Sequence, residues 1–102
     1  MRNITSRQSA GHYTCMMDVT AYTKDCGGSG RTALGRRAQR GVIAVDPREI
    51  PLGTPMYVEG YGKGYAGDIG RSMHGRRIDI CFSNRLQALK WGRRKVRVTV
   101  YR

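Results

Sequence analysis

The sequence predicts an all-β domain: a small closed or nearly closed barrel of six short strands carrying one short helix. Apolar residues occur in strand-length runs or in strict alternation, separated by glycine-rich breaks. A single segment has helical spacing, and no strand–helix–strand rhythm or fixed-period repeat runs through the chain. Six short strands in an open sheet would leave exposed edges, which closure removes. With 102 residues, 39% of them hydrophobic, 14 Gly and one Phe, the chain suffices for one domain with a modest, turn-rich core.

Residues 1–14 have no periodicity and read as an N-terminal arm, disordered or borrowed by a partner, ahead of a domain at 15–102. Met17-Asp-Val-Thr-Ala-Tyr-Thr23 alternates and is β-rich. Cys26-Gly-Gly-Ser-Gly30 breaks the chain, and a basic loop with Arg31, Arg36, Arg37 and Arg40 follows. Val42–Val45 is an apolar run of strand length. Asp46-Pro47 opens a turn that continues through Ile50–Gly53. Met56–Glu59 is a third strand, Gly60–Gly64 a hairpin signal, and Tyr65–Ile69 the returning fourth. A basic loop over Gly70–Arg77 leads to the fifth, Ile78–Phe82. Ser83 is a good N-cap for a helix with Leu86, Leu89 and Lys90 at helical spacing and Gly92 as its stop. Val96, Val98 and Val100, alternating with Arg97, Thr99 and Tyr101, form the clearest strand.

Charge narrows the function. Nineteen Lys and Arg, fifteen of them Arg, oppose seven Asp and Glu for a net charge of +12. That balance excludes a basic or neutral ligand as the main partner. It favours a polyanion: nucleic acid, an acidic membrane surface or an anionic wall polymer. No apolar run approaches the ~20 residues of a membrane span, and the polar stretch Met1–Gly11 shows no signal peptide. Cys15, Cys26 and Cys81 are spaced for neither a disulfide framework nor a zinc knuckle.

Three of the scarce acids stand out. Asp46 ends the apolar run, Asp68 lies in the strand after the hairpin, and Asp79 sits between Ile78 and Ile80. Aspartate is depleted inside strands because its burial is costly. Alternation turns Asp79 to the face opposite its two isoleucines. Each acid alone reads as a turn, a cap or an ion-pair partner. Clustered, they would raise one another's pKa, and a protonated carboxyl can donate to a glycosidic oxygen and then act as base. Other candidates are weaker. His12 and His74 lack partners at metal spacing, Cys26 lacks a paired histidine, and Gly60–Gly64 is no phosphate loop. Trp91 reads as helix packing. The pairs Arg36-Arg37, Arg76-Arg77 and Arg93-Arg94 lack the interleaved aromatics of a nucleic-acid site.

Ordered motifs carry a resemblance over about four fifths of the chain. They are Thr20-Ala-Tyr-Thr23, Cys26-Gly-Gly-Ser-Gly30, Thr32-Ala-Leu-Gly35, Arg40-Gly-Val-Ile-Ala-Val-Asp-Pro47, Ile50-Pro-Leu-Gly-Thr54, Tyr57-Val-Glu-Gly-Tyr-Gly62, Asp68-Ile-Gly70, Gly75-Arg-Arg-Ile-Asp-Ile80 and Ala88-Leu-Lys-Trp-Gly-Arg-Arg94. Together they resemble the 3D (Asp-Asp-Asp) domain, a family that includes the stationary-phase survival proteins of Firmicutes and the barrel of membrane-bound lytic transglycosylase A. The resemblance implies a six-stranded double-psi β-barrel and lytic transglycosylase activity on peptidoglycan glycan strands. It also implies a cell-wall or extracellular location and no metal or organic cofactor. Asp79 becomes the catalytic acid and base, with Asp68 and Asp46 shaping the catalytic site. Thr20, Tyr22, Thr32, Gly67, Gly70 and Arg77 become substrate-binding positions. Members also form domain-swapped dimers through the N-terminal segment, which would give the arm a use.

The chain departs from the family where Asp-Thr-Gly-Gly is usual and Asp68-Ile69-Gly70-Arg71 stands here, which bears on substrate fit more than on fold. Two further readings stay open: a noncatalytic wall-binding module and a basic nucleic-acid-binding barrel without sequence specificity.

Overall fold

The structure is a computed structural model that describes residues 11–23, 40–70 and 75–101. Its strands are β1 (His12–Thr23), β2 (Val42–Val45), β3 (Pro55–Val58), β4 (Gly62–Ile69), β5 (Arg77–Phe82) and β6 (Arg93–Tyr101), with the helix α1 (Arg85–Trp91) between β5 and β6. They close into one barrel in the order β1-β5-β2-β4-β3-β6. The pairs β1/β5 and β2/β4 are parallel, and the other four contacts are antiparallel. The six-stranded barrel with one short helix is therefore as expected.

The core is filled by alternate residues of every strand: Val19 from β1, Ile43 and Val45 from β2, Met56 and Val58 from β3, Ala66 from β4, Ile78 and Ile80 from β5, and Val98 and Val100 from β6. Each such valine, isoleucine or methionine contributes roughly 1.5–3 kcal/mol by leaving water. The β2 run does not alternate in character, and all four of its residues are buried. Ile43 and Val45 face the core, while Val42 joins Cys81 in a second cluster on the outer wall under Tyr22 and Tyr65. Burial on both faces explains the unbroken apolar run.

Three strands are longer than the sequence suggests. β4 begins at Gly62, so Gly62–Gly64, read above as part of a hairpin, pair with β3. β1 begins at His12, so residues 12–14, assigned above to the arm, pair with 99–101 of β6. β6 begins at Arg93 rather than Val96. The start of β1 pairs with the end of β6, and the start of β6 pairs with Val19 and Thr20, in one long antiparallel ladder. The rest of the arm lies outside the described residues.

The helix cap also differs. Asn84, not Ser83, is the N-cap, its side-chain oxygen accepting from the amides of Leu86 (2.7 Å) and Gln87 (3.2 Å). Gly92, at φ 64°, ends the helix as expected. Leu86 and Leu89 point outward, 67% and 65% exposed, and the packed positions are Ala88 and Trp91. The Trp91 indole N–H donates to the Val19 carbonyl at 3.0 Å, which fixes that orientation. Arg94 lies over the Trp91 ring at 4.1 Å and donates to the Trp91 and Lys90 carbonyls, closing the last turn.

A second aromatic tie joins β5 to the start of β2. The Tyr61 hydroxyl donates to the Cys81 carbonyl and accepts from the Gly41 amide, and Arg40 lies 4.4 Å over its ring.

Candidate active site

The outer wall across the two parallel pairs brings Thr20, Tyr22, Arg77, Asp79 and Asp68 onto one face. On β1, Val19 is in the core, so Thr20 and Tyr22 face out. On β5, Ile78 and Ile80 are in the core, so Arg77, Asp79 and Cys81 face out. The parallel register sets Asp18 beside Arg77, Thr20 beside Asp79 and Tyr22 beside Cys81. Asp79 is also in register with Ala44 of β2.

Asp68 reaches this face through an irregularity. Ile43 pairs with Ala66, but Ala44 pairs with Asp68, so Gly67 is an extra residue in β4. Regular pairing would place Asp68 beside Val45, in a core row. The bulge shifts it by one residue and so turns it to the outer face. One row therefore reads Thr20, Asp79, Ala44, Asp68 across four neighbouring strands. Asp79 and Asp68 stand one strand apart on either side of it, roughly 10 Å between backbones, and Ala44 offers only a methyl between them.

A side chain at Gly67 would be crowded. A Cβ would lie 2.7 Å from Tyr65 Cε2 and 3.2 Å from Val42 Cγ1, so any larger residue obliges the Tyr65 ring to shift.

The electrostatics of Asp79 suit proton transfer. It is half-buried, and desolvation raises its carboxyl above the ordinary range, partly offset by the Thr20 hydroxyl. Thr20 Oγ1 donates to Asp79 Oδ1 at 3.1 Å and lies 3.4 Å from the Ile78 carbonyl. Tyr22 lies within the same field. Burial, then the Cys81 thiol, then Asp68 and Asp79 all raise its hydroxyl, which stays protonated. Among the described residues that hydroxyl has no hydrogen-bond partner within ordinary geometry, although the Cys81 thiol is its neighbour.

The other expected site residues are placed differently. Asp46 lies beyond the end of β2 and is buried. Its carboxylate accepts from the Arg48 amide at 3.0 Å and takes the Arg48 guanidinium on both oxygens at 3.1 Å. Its carbonyl accepts from Glu49 and Ile50. That is a turn role. Asp68 Oδ1 accepts from the next amide, Ile69, at 2.9 Å. Gly70 donates to the Val45 carbonyl. Arg77 stands two residues from Asp79 on the same face. Thr32, Cys26 and His74 lie outside the described residues. No group of three or more metal-ligating side chains occurs among the described residues.

A groove of about 670 Å³ among the described residues is lined by Tyr13, Glu49, Leu52, Thr54 and Tyr101 among others, and by none of the three aspartates. A smaller one, about 290 Å³, lies between the end of β1 and α1 and includes Tyr22. The sequence reading missed Tyr65 and Cys81 as parts of the wall. Counting two residues on from Asp79 finds Cys81, while Tyr65 has no such signal without the β4 pairing.

The sequence profile of the 3D domain matches residues 41–102. The chain belongs to the 3D domain family. It is 43% identical over 100 residues to YabE of Bacillus subtilis (strain 168), whose name gives it cell wall shaping, and the match covers 93% of this chain. It is 45% identical over 87 residues to the cell wall-binding protein YocH of the same organism, covering 80% of this chain. It is 36% identical over 93 residues to the SPbeta prophage-derived uncharacterized protein YorM, also of that organism, covering 79%. The matches span 24%, 30% and 39% of those three relatives. No helix among the described residues is long and apolar enough to cross a membrane.

Proposed function

We propose that this domain acts on the bacterial cell wall, at the wall or outside the cell, as a peptidoglycan lytic transglycosylase with Asp79 as its acid and base. The observation that carries the reading is the half-buried Asp79 carboxyl, raised by desolvation and held on one oxygen by Thr20. A carboxyl so raised retains its proton closer to neutrality. The protonated Asp79 donates to the oxygen linking N-acetylmuramic acid to N-acetylglucosamine, and the C1–O bond breaks. The Asp79 carboxylate then takes the proton of the muramic C6 hydroxyl, whose oxygen attacks C1 and closes a 1,6-anhydro ring. The proton count balances, and water is not consumed. An intramolecular nucleophile needs no second base, because its effective concentration is high. Asp68 contributes charge and shape across Ala44, and Asp46 contributes by fixing the turn after β2.

Purified peptidoglycan incubated with the protein is expected to yield 1,6-anhydro muropeptides by mass spectrometry, and Asp79→Asn to abolish them. Products carrying an added water would show a hydrolase instead.

A wall-binding module is the second reading. Two of the three acids, Asp46 and Asp68, are engaged by the chain's own amides, and one relative bears a wall-binding name. It predicts sedimentation with walls and no new glycan ends.

A further inference from the structure

The described cations are not equivalent. Arg94 is committed to the Trp91 ring and the helix carbonyls, Arg48 to Asp46, and Arg40 to Tyr61. Arg93, Lys95 and Arg97 are different. They alternate on the outward face of β6, all three are exposed, and none is paired with a carboxylate among the described residues. They face Thr20, Asp18 and Met16 of β1 in register. On the far side, the Glu59 amide donates to the Arg97 carbonyl. Asp18 lies between Lys95 and Arg77, so cations outnumber acids on this face even with Asp18 and Glu59 counted.

Spacing gives the stripe a ligand. Alternate residues on a strand recur every ~6.7 Å. A linear polyol phosphate with three carbons between phosphates repeats over about the same length when extended, because both chains place the same number of backbone bonds in each repeat. We infer that Arg93, Lys95 and Arg97 form a binding stripe for a linear polyol-phosphate polymer of the wall, one cation per phosphate. The stripe begins one strand from the Thr20–Asp79 pair, so a bound polymer would run along the barrel and hold it against the wall beside its glycan. Single-stranded nucleic acid has a similar phosphate repeat. The cationic rungs, however, meet Thr20, Asp18 and Met16 on β1, and the exposed rings of the same face, Tyr57 and Tyr101, lie beside and beyond Thr99, past the end of the stripe, so no ring stands between the rungs for bases to stack on.

The test uses a soluble poly(glycerol phosphate) fragment, which contains no glycosidic bond, so its outcome is independent of the lytic reading. Binding is measured against salt for the parent chain, for Arg93→Gln, Lys95→Gln and Arg97→Gln singly, and for the triple variant. A control triple, Lys63→Gln with Arg85→Gln and Lys90→Gln, removes the same charge elsewhere. Each single change is expected to weaken binding about two- to five-fold. The stripe triple is expected to lower the slope of log affinity against log salt by about 2, with the control near the parent. Equal losses from the two triples, or no loss from the stripe triple, would overturn the assignment. So would tighter binding of a single-stranded oligonucleotide with the same number of phosphates.

Discussion

Thr20 and Asp79 face each other across the parallel pair β1/β5, and the threonine hydroxyl donates to the carboxylate at 3.1 Å. That bond stabilises the charged form of a group whose burial opposes it. Thr20→Val keeps the shape and removes the donor. The Asp79 pKa is then expected to rise further, moving the alkaline limb of the pH–rate profile upward and keeping a larger share of the carboxyl protonated near neutrality. Thr20→Ser is expected to restore the parent profile. An unchanged limb in Thr20→Val would remove Thr20 from the proton path.

Asp79 also leaves a signature in stability. Its folded pKa lies above its unfolded value, so the native state binds more protons between the two. Stability therefore falls as pH rises through that window and stays lower above it. Asp79→Asn removes the penalty while its side-chain oxygen still accepts from Thr20. The variant is expected to melt above the parent near pH 7, with a difference that shrinks below pH ~4, where both states of the parent are protonated. Calorimetry across pH checks this, and an Asp79→Asn variant that melts lower near neutrality would contradict it.

Gly67→Ala forces a methyl against Tyr65 and Val42. A cost of about 1–3 kcal/mol is expected, read as a lower denaturant midpoint at unchanged m-value. Adding Tyr65→Leu, which removes the nearer of the two obstructing atoms, is expected to recover part of the loss.

Asp46 is expected to behave as a turn residue. Asp46→Ala leaves the Arg48 amide without its acceptor and is expected to cost about 1–3 kcal/mol in chemical denaturation. Arg48→Ala, which removes an exposed partner, is expected to cost less. The reverse order would place the weight of this turn on the ion pair.

Trp91→Phe should cost about 1–3 kcal/mol by removing the buried indole bond to the Val19 carbonyl. A loss well below that range in a thermal or denaturant melt would show that another group replaces the bond.

Much of this was legible in the chain because local signals and tertiary demands agreed. Ile78-Asp79-Ile80 stated its own alternation, and Gly92 its own stop. Asp46 before Pro47 read as a turn, and it is one. The misreadings have physical causes. Arg93–Lys95 is a continuous run of cations, so alternation there became visible only through the valines that follow, although the β1 backbone extends the strand to Arg93. Helix α1 carries two stripes at the same spacing, Leu86/Leu89 and Ala88/Trp91. Hydrophobicity favoured the leucines, but the indole bond to Val19 turned the other stripe inward. Gly67 is the hardest case, since an isolated glycine in a strand gives no register until its partner strand is known.

The bulge at Gly67 makes the second carboxylate a matter of parity. Deleting one residue between Gly62 and Asp68 would keep every side chain's chemistry and turn that acid toward the core, whereas deleting two would leave it outside. An insertion or deletion in β4 should therefore be judged by whether its length is odd or even before its composition is considered.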